Sequence, residues 1–216
     1  MATLPTETPR SAGYSQFGEH LDIEDVVGTM PHGYAVDVGA CDGMSLSNTY
    51  QLEQRGWEVL CIEANPVYEG HLRMNRRNVM ILACGKENLE NQDFHVYEIF
   101  PGNYEAFSAL DPVKDKSAAP VPDDARFNLE ERFSVKVKVR TLDWCLEQAK
   151  FPRVDVVSID VEGGESDVLD GFDIVRWQPK IIVLEDWEGG KFHDRLAQMG
   201  YKLMARRGVN DLFIRG

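Results

Sequence analysis

The sequence predicts an α/β fold built on a mostly parallel, doubly wound sheet. Short apolar runs bounded by turn residues alternate with helical stretches along the chain, which is the pattern of parallel strands joined by crossover helices. Two apolar runs near the C terminus, 201–206 and 209–215, are joined by a tight turn at Gly208. They predict a terminal antiparallel hairpin, and with five parallel strands they make a sheet of seven.

The apolar runs place the individual elements. Strands are predicted at residues 34–38, 58–62, 79–83, 154–159 and 180–184. Helices are predicted at residues 23–30, 47–55, 68–75, 142–149, 165–171 and 192–200. Alternating polar and apolar residues at 94–99 and 133–139 give two further strand candidates.

One long region interrupts this alternation. The segment between the two extra strand candidates is rich in Pro, Asp and Ala, and stretches of that length inside a domain are usually either functional lids or disordered. We expect a partly ordered lid within residues 100–133, in preference to a disordered loop. The polar, proline-bearing residues 1–13 are predicted to form a flexible tail, and residues 14–216 a single domain.

Composition argues against several classes of protein. The chain has 36 acidic residues against 23 Lys and Arg, a net charge of -13, which would repel the phosphates of nucleic acid. The basic clusters at 73–77 and 206–207 are short and are interpreted as solvated surface. No window approaches the 18 or so apolar residues of a membrane span. Four cysteines without a C-x-x-C pair are interpreted as reduced thiols in a cytoplasmic protein.

A glycine-bearing strand end indicates a nucleoside cofactor. The run at 36–43 carries Gly39 and Gly43, and Glu63 closes the next strand twenty residues later. Such an acid can accept hydrogen bonds from two ribose hydroxyls. A dinucleotide fingerprint needs G-x-G-x-x-G, whereas here three residues separate the glycines and Asp37 lies inside the strand. This pattern favours S-adenosylmethionine over NAD, because the methionine ammonium pairs with carboxylates and there is no pyrophosphate to bind.

Acidic residues follow the fourth predicted strand. Asp160, Glu162 and Glu165 surround two glycines. The helix dipole explains Glu165, an acid in a first helical turn. It does not explain Asp160 at the strand end, where an open sheet has its ligand crevice. We therefore expect Asp160 and Glu162 to contact the cofactor or the acceptor.

A third acidic group follows the next strand. Neighbouring strands lie about 4.8 Å apart, so Asp160 is expected beside Glu185 or Asp186. Such carboxylates can bind Mg²⁺, which lowers the pKa of a bound hydroxyl. The alternative is that they are solvated loop residues. Trp187 is either a stacking face for a sugar or planar acceptor, or a core residue.

The five histidines show no metal-ligand spacing. His20 is singled out because it lies in a polar segment just before the first core helix, which can fold over the cofactor. A neutral imidazole there can act as a base near pH 7.

Seven motifs in register resemble the FkbM family of methyltransferases. They are SQFGE at 15–19, VDVGACDG with SNTY at 36–50, GW at 56–57, IEANP at 62–66, TLD at 141–143, IDVEGGE at 159–165 and NDLF at 210–213. The resemblance extends from about residue 14 to the end of the chain. At His20 the chain departs from the family, which often has an acid after Ser-Gln-x-Gly-Glu.

The resemblance implies a Rossmann-like class I methyltransferase that uses S-adenosylmethionine. It implies methyl transfer to a hydroxyl of a sugar, glycan or natural product, with Asp160 and Glu162 facing the methyl group, Asp37 and Gly39 the methionine end, Glu63 the ribose and Ala83-Cys84 the adenine. The cofactor residues implied in this way are Gln16, Asp37, Gly39, Ala40, Asp42, Gly43, Ser47, Asn48, Glu63, Ala64, Ala83, Cys84 and Asp160. Two alternatives stay open, an NAD-dependent sugar-modifying oxidoreductase and a cofactor-binding module without catalysis.

Overall fold

The computed structural model describes residues 13–98, 108–110 and 130–216. Its strands are β1 (Tyr34–Val38), β2 (Glu58–Glu63), β3 (Asn78–Ile81), β4 (Ala83–Cys84), β5 (Leu89–Glu98), β6 (Glu130–Arg140), β7 (Val156–Ile159), β8 (Ile181–Glu185), β9 (Tyr201–Arg207) and β10 (Asn210–Arg215). Its α-helices are α1 (Glu19–Val27), α2 (Tyr50–Gln54), α3 (Glu69–Asn75), α4 (Leu142–Gln148), α5 (Glu165–Asp170), α6 (Ile174–Trp177) and α7 (His193–Gln198).

A seven-stranded sheet in the order β3-β2-β1-β7-β8-β10-β9 organises the fold. The first five of these strands are parallel, and β10 runs antiparallel to both of its neighbours. The predicted fold class, with its terminal hairpin, is confirmed. From β1 the chain continues to β2 on one side, and from β7 it continues to β8 on the other side. The strand order therefore changes direction between β1 and β7, and the crevice at that point is the expected ligand site of such a sheet.

Both faces of the sheet are covered because its strands are apolar on both sides. On one face, residues such as Ala35 and Val59 pack with side chains of α1, α2 and α3. On the other face, Val36 and Leu60 belong to the cluster that includes side chains of α4 to α7. Consecutive strand residues therefore serve opposite cores, which fixes the register of the sheet.

A second, three-stranded sheet in the order β4-β6-β5 was not foreseen. The predicted strand 79–83 is wrong at its end, because the main-sheet strand stops at Ile81 and Ala83 pairs with Val139 of β6. The two extra strand candidates are confirmed as β5 and β6, which pair with each other in antiparallel fashion.

Helix boundaries differ by up to one turn. Helix α1 begins at Glu19, earlier than the predicted residue 23, after Gly18 with a φ of 91°. The short helix α6 was not predicted. Of the proposed lid at 100–133, residues 100–107 and 111–129 lie outside the described residues, as does the tail up to residue 12. Across the described ranges, each helix is too short or too polar to cross a membrane.

Candidate active site

A cavity of about 740 Å³ opens at the carboxyl ends of the parallel strands. It is lined by residues at or just after the ends of β1, β2, β7 and β8, including Ala40, Asp42, Ser47 and Ala64. Gln16, from the segment before α1, also lines it. The volume lies in the range of small-molecule sites. The structure therefore brings most of the predicted cofactor residues to one place, the carboxyl edge of the sheet.

The turn after β1 holds the centre of the cavity. The amide groups of Gly39 and Ala40 both donate to the carbonyl of Ile62, at 2.9 and 3.1 Å. Gly39 has a φ of +85°, and a Cβ atom at this position would lie 1.7 Å from the carbonyl oxygen of Asp160. Only glycine lets the two strand ends approach this closely.

We expect Gly39→Ala to lose both stability and cofactor affinity. The positive φ alone destabilises alanine by about 1–2 kcal/mol, and the backbone contact adds to that loss. Gly56→Ala is a matched control, because Gly56 has a φ of +90° and a Cβ atom added there would meet nothing within 4 Å. Urea unfolding and calorimetry with S-adenosylhomocysteine measure the two effects. Equal losses in both variants would contradict the role of the close approach.

Asp37 lies in β1 and is buried with its side chain at the cavity wall. Its Oδ2 atom accepts hydrogen bonds from the hydroxyls of Ser47 at 3.0 Å and Thr49 at 2.6 Å. The guanidinium of Arg76 lies 3.8 Å from the same oxygen. These contacts fix the direction of the carboxylate before any ligand binds.

Asn48 lines the cavity and has a buried acceptor atom without a described partner. Its Nδ2 atom donates to Ser158 Oγ at 3.1 Å, whereas its buried Oδ1 atom has no donor among the residues that the structure describes. A buried acceptor without a donor is costly. A ligand that brings an N–H group, such as the methionine ammonium of S-adenosylmethionine, satisfies it.

Glu63 ends β2 with both carboxylate oxygens held by backbone amides. Oε2 accepts from the amide of Cys41 at 2.8 Å, and Oε1 accepts from that of Asn65 at 2.7 Å. Burial raises the pKa of the Glu63 carboxyl, although these amides oppose the shift. The second lone pair of each oxygen is left for a ligand hydroxyl.

Three carboxylates, Asp160, Glu162 and Glu185, meet at the other end of the cavity, and we call them the carboxylate cluster. One oxygen from each lies within 4.8 Å of the other two. Burial and the neighbouring carboxylates raise the pKa values of Asp160 and Glu185. The sequence predicted Glu185 or Asp186 beside Asp160, and in the structure it is Glu185.

The loop after β7 is held in an unusual conformation. Glu162 has a φ of 57°, which non-glycine residues rarely adopt. The buried carboxylate of Glu165 accepts from the amides of Val161 and Gly163, at 3.3 and 2.9 Å. This acid therefore stabilises the turn that carries Glu162, and strained residues of this kind cluster at functional sites.

Three predicted site residues lie elsewhere. His20 is buried, its Nδ1 atom is hydrogen bonded to Ser15 Oγ, and it is not among the cavity residues. Gly43 is packed against Arg76, to which its carbonyl oxygen is hydrogen bonded. The third is Asp186.

The prediction that Asp186 could bind a metal together with Asp160 is wrong, because Asp186 does not belong to the carboxylate cluster. Successive side chains at a strand end point to opposite sides, so Glu185 reaches the cluster and Asp186 turns away. Its two oxygens accept from the amides of Gly189, Gly190 and Lys191. It stabilises this turn instead.

Sequence reasoning missed Arg76 and one wall of the cavity. Arg76 was grouped with exposed arginines, but it follows the buried Leu72 by four residues and its side chain has no exposed area. The spacing was the available signal. The missed wall consists of Phe94 and residues 108–110, and the amide and carbonyl of Ala109 pair with those of His95 at 3.2 and 2.9 Å.

The charge of the cavity distinguishes the two nucleoside cofactors. Seven acids line it, and no Lys, Arg or His is among its described residues. Helix α2 begins only at Tyr50, twelve residues after β1 ends at Val38, so no helix N-terminus follows the glycine turn directly. The described residues therefore offer a pyrophosphate neither a basic side chain nor a helix N-terminus at this turn. The acceptor groups of Glu63 and Asn48 suit the ribose and ammonium of S-adenosylmethionine.

Comparison with family models agrees with a methyltransferase. The sequence model of the family described as "Methyltransferase FkbM domain" matches residues 37–203. Among solved structures, the chain is similar to a TehB-like SAM-dependent methyltransferase from Corynebacterium glutamicum, with 12% sequence identity over 92% of this chain and 88% of that chain and a TM-score of 0.43. No curated protein matches the chain. The family match covers well over half of the sequence and overturns the oxidoreductase alternative. The chain belongs to the FkbM family of methyltransferases and is an S-adenosylmethionine-dependent methyltransferase.

Proposed function

We propose that the protein methylates a hydroxyl oxygen of a sugar, a glycan or a natural product. The observation that carries this proposal is the carboxylate cluster beside an exposed indole, that of Trp187, in the same cavity as the cofactor residues. Carboxylates accept hydrogen bonds from hydroxyls and take up their protons. Aromatic faces are suited to the apolar side of a sugar ring.

The methyl donor is assigned to the β1 and β2 end of the cavity. Glu63 accepts the ribose hydroxyls, Asn48 and the Asp37 region receive the methionine end, and Ala83 and Cys84 lie along the adenine. When bound, S-adenosylmethionine supplies an electrophilic methyl group on a sulfonium.

The acceptor is assigned to the β7 and β8 end. Asp160 accepts a hydrogen bond from the acceptor hydroxyl and takes its proton as the oxygen attacks. Glu162 helps to orient the hydroxyl, and Trp187 covers the acceptor from the solvent side. Alignment of reactants and exclusion of water can supply about 7–11 kcal/mol of the barrier.

The charge of the cavity sets the class of acceptor. Seven acids without a described basic residue repel phosphorylated sugars, nucleotides and nucleic acid. We therefore expect an acceptor that is neutral or positively charged.

Transfer of labelled methyl groups to a fractionated extract and a glycan library tests the proposal. We expect the label in an alkali-stable methyl ether, with S-adenosylhomocysteine formed in equal amount. Label in an alkali-labile ester or on nitrogen would contradict O-methylation of a hydroxyl. Tight cofactor binding without transfer to any hydroxyl would support the non-catalytic module.

We expect Glu63→Gln to weaken S-adenosylhomocysteine binding by about 10- to 150-fold. Hydrogen bonds to a charged group contribute about 1.5–3 kcal/mol. In the glutamine variant, the side-chain NH₂ group would also point at one of the two backbone N–H groups that Glu63 now accepts from, so that two donors would meet. Glu58→Gln at the exposed start of β2 is the control. Calorimetry that gives equal affinities for the two variants would remove Glu63 from the ribose site.

Two further expectations belong to this proposal. We propose that residues 14–216 act as one domain, which is supported by Phe94 and Ala109 lining the same cavity as the main-sheet residues. We also propose a cytoplasmic location, which is supported by four free cysteines.

A further inference from the structure

We infer that the carboxylate cluster of Asp160, Glu162 and Glu185 binds one divalent cation of the Mg²⁺, Mn²⁺ or Ca²⁺ type. The distances among the ligand oxygens fit one ion. Mg²⁺ binds oxygen at about 2.0–2.1 Å and Ca²⁺ at about 2.3–2.6 Å, so two ligands of one ion lie at most about 4–5 Å apart. The three oxygens here lie within 4.8 Å of one another.

Glu185 gives independent evidence that a positive ligand is missing. Glu185 is only 5% exposed, and its Oε2 atom has no hydrogen-bond donor in the described part of the chain. Burying a carboxylate oxygen without a partner is strongly unfavourable. The described cavity wall carries no basic side chain, so a bound cation would supply a compensating positive charge.

The backbone holds the cluster in place. Ile159 of β7 is in register with Leu184 of β8, so Asp160 and Glu185 are the next residues of adjacent parallel strands. Glu162 is brought to the same point by its left-handed conformation. The cluster is therefore formed by the main sheet and one braced turn, and it does not depend on a long flexible segment.

A second group of possible ligands shows what a compensated cluster looks like. Asp186, His193 and Asp211 also lie within 4.8 Å of one another. There, Asp211 is paired with Arg206 at 2.9 Å and with His193 at 2.8 Å, and Asp186 accepts three backbone amides. Donors from the protein therefore contact both carboxylates of that group.

A cation at the carboxylate cluster has a direct chemical consequence for the proposed function, on which this part of the inference rests. Three protein ligands leave coordination positions for water and for the acceptor oxygen. A hydroxyl bound to the ion loses its proton more readily. Held by Asp160, Glu162 and Glu185, such an ion would orient the acceptor and make its oxygen a stronger nucleophile, and a carboxylate oxygen of the cluster not bound to the ion would take the proton.

Mn²⁺ binding to the purified full chain tests the inference, with electron paramagnetic resonance to count bound ions. We expect one Mn²⁺ per chain and competition by Mg²⁺ or Ca²⁺. Glu185→Gln should weaken Mn²⁺ binding at least about tenfold, as should Glu162→Gln. Glu188→Gln is the matched control, since Glu188 is exposed and does not line the cavity.

The outcomes separate this inference from the proposed function. No Mn²⁺ binding, or equal weakening by Glu188→Gln, overturns the cation site. Methyl transfer at full rate after removal of metals by a chelator overturns the role of the cation in the reaction and leaves O-methylation standing. Mn²⁺ binding that needs Glu185, in a protein that methylates no hydroxyl, supports the cation site and overturns the proposed acceptor class.

Discussion

Asp160→Asn is expected to lower kcat by about 10²–10⁴. The asparagine keeps the shape of the side chain but cannot take a proton from the acceptor hydroxyl. Asp160 lies at the end of the central strand β7, in the carboxylate cluster and at the cavity wall. The affinity for S-adenosylhomocysteine should stay close to that of the wild type, because that product carries no methyl group for Asp160 to face.

The measurement is single-turnover methyl transfer at saturating donor, with calorimetry for the product complex. Asp194→Asn is the control, since this substitution makes the same chemical change at an exposed position of α7. Near-wild-type turnover in Asp160→Asn would remove Asp160 from the chemistry. A large loss of product affinity with unchanged kcat would instead assign it to cofactor binding.

Arg76→Met is expected to destabilise the fold by about 3–5 kcal/mol. The Arg76 side chain has no exposed area and its Nε atom lies 3.1 Å from Glu53 Oε2, and its guanidinium also lies near Asp37. Removal of the arginine leaves the buried Asp37 carboxylate without its cation, and Glu53 keeps only its contact with the exposed Arg77. Because Asp37 lines the cavity, cofactor affinity should fall as well.

Arg77→Met separates this effect from a general loss of positive charge. Arg77 contacts the same carboxylate, Glu53, at 3.2 Å, but its side chain is 59% exposed. Exposed ion pairs contribute at most about 1 kcal/mol, so this variant should change the urea midpoint little. Equal destabilisation by the two variants would contradict the buried role of Arg76.

Local patterns were sufficient where the physical cause is local. The strand β1 and its glycine turn follow from an apolar run that ends in glycines, and Glu63 and Asp160 follow from the rule that ligands bind at the carboxyl ends of parallel strands. These residues line one cavity in the structure. Which ligand group each of them contacts stays a prediction.

The sequence was misleading where direction or distant partners decide. Glu185 and Asp186 are adjacent acids. Which of them faces Asp160 depends on where β8 ends, and it ends at Glu185. His20 was proposed as a base in a segment over the cofactor, but it is buried, hydrogen bonded to Ser15 and not among the described residues that line the cavity.

The sequence by itself determined the class of fold and the edge of the sheet at which the site lies. Strand period, glycine position and the order of acids along the chain are enough for that, because each acts through neighbours in sequence. Only the tertiary structure decided that Glu162 and Glu185 join Asp160 and that Arg76 is buried. Those facts depend on contacts between residues distant in sequence, and the free energy of a charged side chain depends on which charges lie nearby.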